Sequence, residues 1–204
     1  YLCGIYVYSI YKAYMYENPS KKPIVLCVPV NLRPFFGSVT TRNFFAMVSI
    51  PFYPQNEQYE RREIMLLVQE ELKKQITREH LEQLISYNVS NQKNLALRAV
   101  PLLLKKPVMK LVYLSGVKGT TTTLTNVGML AVKEEYQPYI ERFQVILSPS
   151  VGQNMKVTVC SYRDELAVTF SSLLKDTSVQ KEFFESLSQE GLEVAIETNG
   201  VYDE

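Results

Sequence analysis

Apolar runs of different lengths follow one another along the chain and predict a mixture of helices and strands. Residues 1–16 are rich in apolar and aromatic side chains all the way round a helical wheel, so we expect a helix that other parts of the protein cover on most sides. Shorter runs rich in β-branched residues at 24–30 and 44–52 predict two buried strands. A loop at 31–42 is expected between them, and Pro51 and Pro54 are expected to end the second strand.

The middle of the chain has the spacing of amphipathic helices. One apolar face runs through residues 57–85, and charged residues fill the other face. This face consists of Ile64, Leu67, Val68, Leu72, Gln75 and Ile76, and a second helix is expected to carry Leu81, Leu84 and Ile85. Thr77 is a candidate cap for a second helix within this region. A polar loop is expected at 88–94 and an apolar helix at 95–114, with Pro101 and Pro107 as breaks or first-turn residues.

The last third of the chain favours strands. We expect strands at 120–130 and 143–147, and a hairpin with strands at 155–162 and 166–170. A turn is expected at 116–120, a helix at 179–187 that ends before Gly191, and a last strand at 192–196. The predicted fold class is therefore α+β, with a mixed β-sheet and helices packed on one face.

Composition and charge limit the classes of function. The 204 residues carry a net charge of +1, so bulk electrostatics indicate neither a nucleic acid nor a membrane as partner. The apolar stretch at 1–16 is too short to span a bilayer and contains Lys12. Cys3, Cys27 and Cys160 are far apart within apolar runs, which is typical of reduced thiols in a cytoplasmic protein.

Residues for catalysis are scarce. The single histidine, His80, lies between Glu79 and Glu82 on a predicted helix, where a solvated side chain is expected. No histidine and cysteine spacing indicates a metal site, and no Gly-x-Ser-x-Gly or Gly-x-Gly-x-x-Gly pattern occurs. Residues 116–120 do not fit a phosphate-binding loop, and a hairpin turn is expected there. We therefore predict no catalytic and no metal-binding residues in this chain.

Three segments together resemble a known superfamily. Residues 28–33 (VPVNLR) are followed by 42–45 (RNFF) and by Ile50 and Pro51; residues 123–128 (TLTNVG) and 160–170 (CSYRDELAVTF) come later. In this order they resemble the C-terminal lobe of the chloramphenicol acetyltransferase and condensation-domain superfamily, and most of all bacterial alcohol acetyltransferase-like proteins. The resemblance runs from Val28 to Glu190 and implies that residues 1–204 form a single C-terminal lobe of a larger two-lobed protein.

The resemblance implies an acyltransferase whose catalytic His-x-x-x-Asp belongs to the N-terminal lobe. His80 is followed by Leu84 where the aspartate would stand, so this chain lacks the motif. Thr125 and Asn126 are candidate oxyanion donors or, alternatively, part of a β-turn. Arg33 is a candidate partner for the motif's carboxylate or, alternatively, a surface arginine, and Asn43 is expected to hold the 31–42 loop by backbone hydrogen bonds.

The resemblance also implies co-substrates and partners. No tightly bound cofactor is expected; acyl-coenzyme A or acyl-phosphopantetheine would be the donor, and an alcohol or amine the acceptor. Lysines at 105, 106, 110 and 118 are candidates to bind the phosphates of coenzyme A or phosphopantetheine or, alternatively, form a solvated helix face. The partner would be the N-terminal lobe, without which this lobe is expected to dimerise. A non-catalytic binding or scaffold protein on the same fold, and an interaction module that oligomerises through its first helix, are the alternatives.

Overall fold

A computed structural model describes residues 1–18, 20–55, 58–93 and 99–199 of the chain. In these ranges the strands form one mixed sheet of five members. They are β1 (Ile24–Asn31), β2 (Phe45–Phe52), β3 (Thr122–Met129), β4 (Met155–Tyr162) and β5 (Glu165–Ser172). Their order across the sheet is β2-β1-β3-β4-β5. The outer pairs β1–β2 and β4–β5 are antiparallel, whereas β3 runs parallel to both β1 and β4.

Six α-helices and a short 3-10 helix at Glu134–Tyr139 are described in the same ranges. The α-helices are α1 (Leu2–Tyr14), α2 (Arg33–Phe36), α3 (Arg61–Gln75), α4 (Arg78–Lys93), α5 (Leu102–Lys118) and α6 (Ser178–Gln189). Helix α1 lies between α3 and α6 and also contacts β1, so these helices form a layer on one face of the sheet. The predicted α+β class, with helices packed on one face of a mixed sheet, is confirmed.

The core lies between α1 and the sheet. Ile5, Tyr6 and Val7 of α1 are fully buried, as are Leu26 of β1 and Val157 of β4. The sequence-based expectation that most sides of this helix are covered is therefore confirmed. Burial of such large side chains is the main favourable contribution to folding, because it removes apolar surface from water.

Strand β2 differs from its prediction because it lies at the edge of the sheet. Val48, Ile50 and Phe52 face the helices and are buried, whereas Phe45 and Met47 on the opposite face are about half exposed. A strand alternates its side chains between two faces, so only one face of β2 is buried. Pro51 lies inside β2 instead of ending it, which an edge strand tolerates.

Five other segments differ from their predictions. The 31–42 loop contains α2, helix α4 continues through the expected polar loop to Lys93, and residues 116–118 belong to α5 instead of a turn. Residues 143–147 and 192–196, predicted as strands, are irregular and form no ladder with the described strands.

Residues 143–147 are irregular because they lie across the outer face of β4 instead of beside it. The Thr158 hydroxyl donates to the Val145 carbonyl, and the Cys160 thiol donates to the Phe143 carbonyl at 3.5 Å. The rings of Phe143 and Tyr162 meet edge to face, with centroids 5.0 Å apart. Side chains of β4 thus bind a segment whose apolar sequence resembles that of a strand.

Helix ends follow the sequence more closely. The Thr77 hydroxyl accepts a hydrogen bond from the His80 backbone N–H at 3.2 Å, as its prediction as a cap requires. Glu60 and Glu63 form a reciprocal capping box at the start of α3. Gly191 has a φ of 84°, and its backbone N–H donates to the Ser188 carbonyl just after α6. The predicted end of this helix at a left-handed glycine is confirmed.

Within the described ranges, no helix combines the length and the apolar character that crossing a membrane requires.

Candidate functional site

The sheet is split on one side of its centre. Strands β1 and β3 pair only through Leu26 with Thr122 and Cys27 with Thr123, although both strands are described over their full lengths. Beyond these pairs, the last residues of β1 and of β3 are no longer ladder neighbours. Because the two strands are parallel, their carboxyl ends lie at the same edge of the sheet. We call this the carboxyl edge; crevices at such places are common ligand sites in open sheets with parallel strands.

The topology brings all four residues singled out from the sequence to the carboxyl edge. Arg33 follows the end of β1, and Thr125 and Asn126 lie in the second half of β3. Asn43 comes two residues before Phe45, which pairs with Asn31 at the end of β1. The first two positions are separated from the last two by 82 or more residues along the chain, from 43 to 125, so the sheet order brings the two pairs together.

Arg33 closes the 31–42 loop with its guanidinium group. Its Nε donates to the Thr40 carbonyl at 2.8 Å, and its Nη2 donates to the Arg42 carbonyl at 2.6 Å. Its Nη1 donates to Oδ1 of Asn31 at 3.2 Å. Arginine has five N–H donors, so three contacts leave two donors for another group. No carboxylate in the described part of the chain forms an ion pair with Arg33.

The hydrogen bonds expected from Asn43 are not among those that the structure describes in the 31–42 loop. Its side chain is exposed, and the hydrogen bonds that hold the loop come from Arg33, Ser38 and Thr40. The Ser38 hydroxyl accepts from the Thr40 backbone N–H at 3.3 Å, and the Thr40 hydroxyl accepts from the Arg42 backbone N–H at 3.2 Å. The exposed amide of Asn43 therefore faces solvent at the carboxyl edge.

Asn126 lies at a bulge in β3. It pairs with Val159, whereas Gly128 pairs with Cys160, so Val127 is the extra residue in β3. Oδ1 of Asn126 accepts a hydrogen bond from the Gly128 backbone N–H at 2.8 Å, and Gly128 has a φ of 84°. This contact orients the exposed amide, and none of the described hydrogen bonds uses its NH2 group. The segment is a bulged strand and not the β-turn that was the alternative.

Thr125 is half-buried within the ladder, opposite Thr158 of β4. It lies on the strand just before the bulge, so its hydroxyl is more enclosed than the Asn126 amide. Of the two candidate donors, Asn126 is therefore the more accessible to a ligand.

An apolar depression adjoins the carboxyl edge. It has a volume of about 230 Å³ and is lined by Phe45, Ala46 and Met47 of β2 and by Leu84 and Ile85 of α4. Its start at Phe45, opposite Asn31, places it beside the loop that Arg33 closes. A second, more polar depression of about 400 Å³ lies between the end of α1 and α6, and its lining includes Lys12, Glu17, Lys181 and Glu182.

The other sequence candidates are on α4 and α5. His80 is in the first turn of α4, four residues before Leu84 of the apolar depression; its backbone N–H contacts the Thr77 cap, and its side chain is half-buried instead of fully solvated as expected. Lys105 is half-buried and Lys106 and Lys110 are exposed on α5, whereas the side chain of Lys118 lies outside the described part. The carboxyl end of α5 adjoins the amino end of β3, on the opposite side of the sheet from Asn126. In the described ranges, no group of three or more metal-ligating side chains comes together.

All three cysteines are free. Cys27 and Cys160 are buried in the sheet, and burial raises the pKa of the half-buried Cys3 thiol, as the predicted packing of reduced thiols requires.

The split between β1 and β3 and the bulge at Val127 were not foreseen from the sequence. Gly128 after Asn126 was the only local signal for the bulge, and the split depends on pairing partners that a single sequence does not reveal. A scan against protein-family models, a search of curated proteins and a search of solved structures each found no match for this chain.

Proposed function

We propose that this chain is the C-terminal lobe of a two-lobed acyltransferase that moves an acyl group from a coenzyme A or carrier-protein thioester to an alcohol or amine. The observation that carries the proposal is the arrangement of Arg33, Asn43 and Asn126 at one edge of a sheet that is split beside them. Polar side chains with unused donors at this edge, and an apolar depression beside the loop that Arg33 closes, suit a substrate with a polar reactive group and an apolar chain.

The chemistry divides between the two lobes. A histidine of the N-terminal lobe takes the proton from the acceptor hydroxyl or amine, whose lone pair attacks the thioester carbonyl carbon. The tetrahedral intermediate carries a negative oxygen, and the NH2 group of Asn126 donates a hydrogen bond to it. The intermediate then loses the thiolate as the carbon–sulfur bond breaks, and the histidine returns the proton to sulfur.

Arg33 contributes charge at the interface between the lobes. Its guanidinium is held by two carbonyl oxygens and one amide oxygen, none of which carries a formal charge. A carboxylate that approaches the two remaining donors gains a charge-assisted hydrogen bond. The aspartate of the N-terminal motif is the group that fits this position.

The apolar depression lined by Phe45 and Met47 is suited to bind an acyl or alkyl substituent of the substrate. Its lining contains no charged residue, so methylene groups entering it would leave water without burying a charge. A volume of about 230 Å³ is below the range of typical drug-sized sites and suits a short chain.

The test measures thiol release from acetyl-coenzyme A by the full-length polypeptide with a set of primary alcohols and amines. Asn126→Asp keeps the acceptor for the Gly128 N–H but lacks the NH2 donor, so we expect kcat to fall about a hundredfold. Asn18→Ala, at an exposed position just after the end of α1, is the matched control and is expected to keep wild-type kcat. No thiol release with any acceptor, or full activity of Asn126→Asp, would contradict the proposal.

A non-catalytic binding protein on the same fold is the second candidate. His80, the only histidine of this chain, has its backbone N–H at the Thr77 helix cap, and Leu84 stands where a His-x-x-x-Asp motif would have its aspartate. Equilibrium binding of acetyl-coenzyme A to the full-length polypeptide without thiol release would favour this candidate over the acyltransferase.

A further inference from the structure

Helix α5 has an apolar surface that no other described element covers. Eight of its large apolar side chains are more than half exposed, with values from 55% to 82%. They are Leu102, Leu103, Leu104, Val108, Met109, Leu111, Val112 and Tyr113. So much exposed apolar surface on one helix is unusual. Contiguous apolar patches of this kind typically mark a surface that binds a partner.

The charges of α5 are all of one sign. Residues 99–118 contain four lysines and neither aspartate nor glutamate. With 100° between successive residues, Leu104, Val108, Leu111 and Val112 form one stripe; Lys106 and Lys110 lie opposite it, and Lys105 borders it. Apolar side chains are therefore spread over most of the circumference, and lysines interrupt them.

We propose that α5 binds in the headgroup region of an anionic membrane, with its axis in the membrane plane. Its 17 residues reach about 25 Å, shorter than a spanning helix, and exposed lysines flanked by apolar residues extend toward headgroups while their stems contact lipid. The proposal stands on α5 alone and does not depend on acyl transfer.

Lipid suits this helix better than a protein partner. In the headgroup region, acyl chains contact the deeper side of a helix and polar headgroups contact its flanks, so the apolar side chains of α5 and the lysines between them can each meet a suitable group.

The net charge of +1 does not oppose this partner. It led to the sequence-based expectation of no membrane, but attraction to a lipid surface depends on the charges within a screening length of it. At α5 the local charge is wholly positive, and the acidic residues that balance it are outside residues 99–118.

A tryptophan introduced on the stripe provides a specific probe, since the chain has none of its own. The variant Leu111→Trp is mixed with phosphatidylcholine vesicles, with and without phosphatidylglycerol, and with vesicles of brominated lipid. We expect a blue shift with the anionic vesicles and quenching by the brominated anionic ones. Leu173→Trp, at a position 70% exposed after β5, is the matched control and is expected to show neither.

A pair of lysine variants separates charge from apolar contact. Lys106→Gln with Lys110→Gln should weaken partition onto anionic vesicles about thirtyfold, because each lysine near the surface contributes about 1 kcal/mol. Lys73→Gln with Lys74→Gln removes two exposed lysines of α3 and should leave partition unchanged. Circular dichroism checks that each variant is folded.

Three results would overturn the proposal. They are a Leu111→Trp emission that does not shift with anionic vesicles, an equal loss of partition in the α3 control, and a blue shift that depends on protein concentration without quenching by brominated lipid. The last result would assign the surface of α5 to a second copy of the chain.

Discussion

At the scale of single residues, a buried chain of hydrogen bonds joins the first helix to the sheet. The Tyr6 hydroxyl lies 2.7 Å from Oγ1 of Thr122, and that hydroxyl donates to the Met155 carbonyl at 2.7 Å. Because the Thr122 proton is used, Tyr6 is the donor of the first bond. Burial raises the pKa of Tyr6, so this hydroxyl stays protonated at all ordinary pH values.

Replacing the acceptor should cost more than replacing the donor. Thr122→Val leaves the buried Tyr6 hydroxyl without its acceptor, and we expect the free energy of unfolding to fall by about 1–3 kcal/mol. Urea unfolding measures this, and Tyr6→Phe serves as the second arm of a double-mutant cycle. In the Tyr6→Phe background the cost of Thr122→Val should be smaller; strictly additive costs would show that the two hydroxyls do not interact.

Asp176 provides a prediction for pH. Its carboxylate accepts hydrogen bonds from the Ser178 hydroxyl and from the Ser178 backbone N–H, the latter at 2.9 Å, and these contacts lower the pKa of Asp176. The same carboxylate is a minor cause, after burial, of the rise in the pKa of Tyr14 to about 12. A carboxylate with a lowered pKa stabilises the folded state above its unfolded value and loses that contribution as the pH falls through the folded value.

Asp176→Asn keeps an acceptor for Ser178 but removes the charge. We expect the variant to be less stable than wild type at neutral pH and equal to it well below pH 3.8, the ordinary value for aspartate, where both side chains are neutral. Urea midpoints across this pH range measure the difference. Asp164→Asn makes the same charge change at the exposed β4–β5 turn, and a similar loss there would assign the effect to net charge alone.

At the scale of elements, helix α1 approaches α3 closely at Gly4. A Cβ atom there would lie 2.9 Å from Cγ and 3.0 Å from Cα of Met65, and the Cα belongs to the α3 backbone. We expect Gly4→Ala to lower stability by about 1–3 kcal/mol, because two packed helices would have to separate.

Gly116 of α5 is the matched control, since it is also helical but a Cβ atom added there would meet no neighbouring group within 4 Å. Gly116→Ala should leave stability unchanged or raise it by up to about 1 kcal/mol. Thermal unfolding compares the two variants; a destabilisation of equal size in both would contradict the close crossing of α1 and α3.

An element could be predicted from the sequence where its pattern of apolar and polar residues agrees with the side chains that the fold buries. It could not be predicted where tertiary contacts override that pattern. The hairpin of β4 and β5 has its turn at Arg163, with a φ of 53°, where alternation stops. Residues 143–147 have the same apolar character but contact side chains of β4 across its face, so tertiary contacts override local preference. The polar residues of the carboxyl edge could be singled out from the sequence. The split between β1 and β3 could not, because it depends on which residues of the two strands pair.

At the scale of the whole molecule, the chain has a well-packed layer of helices on one face of the sheet and two candidate binding surfaces, the carboxyl edge and α5. The helix layer buries α1 and one face of the sheet. The carboxyl edge has polar donors beside an apolar depression, and α5 exposes an apolar and basic surface on the part of the chain that precedes β3. We propose different partners for the two surfaces: a thioester and a second lobe at the edge, and an anionic lipid at the helix.

The central claim is that the carboxyl edge contacts an acyl thioester, and hydrogen exchange of the full-length polypeptide with and without acetyl-coenzyme A tests it most directly. The account predicts slower exchange at residues 31–43 and 124–130, which contain Arg33, Asn43 and Asn126, with little change in α6. Unchanged exchange in both segments at saturating acetyl-coenzyme A, or protection elsewhere only, would contradict the claim.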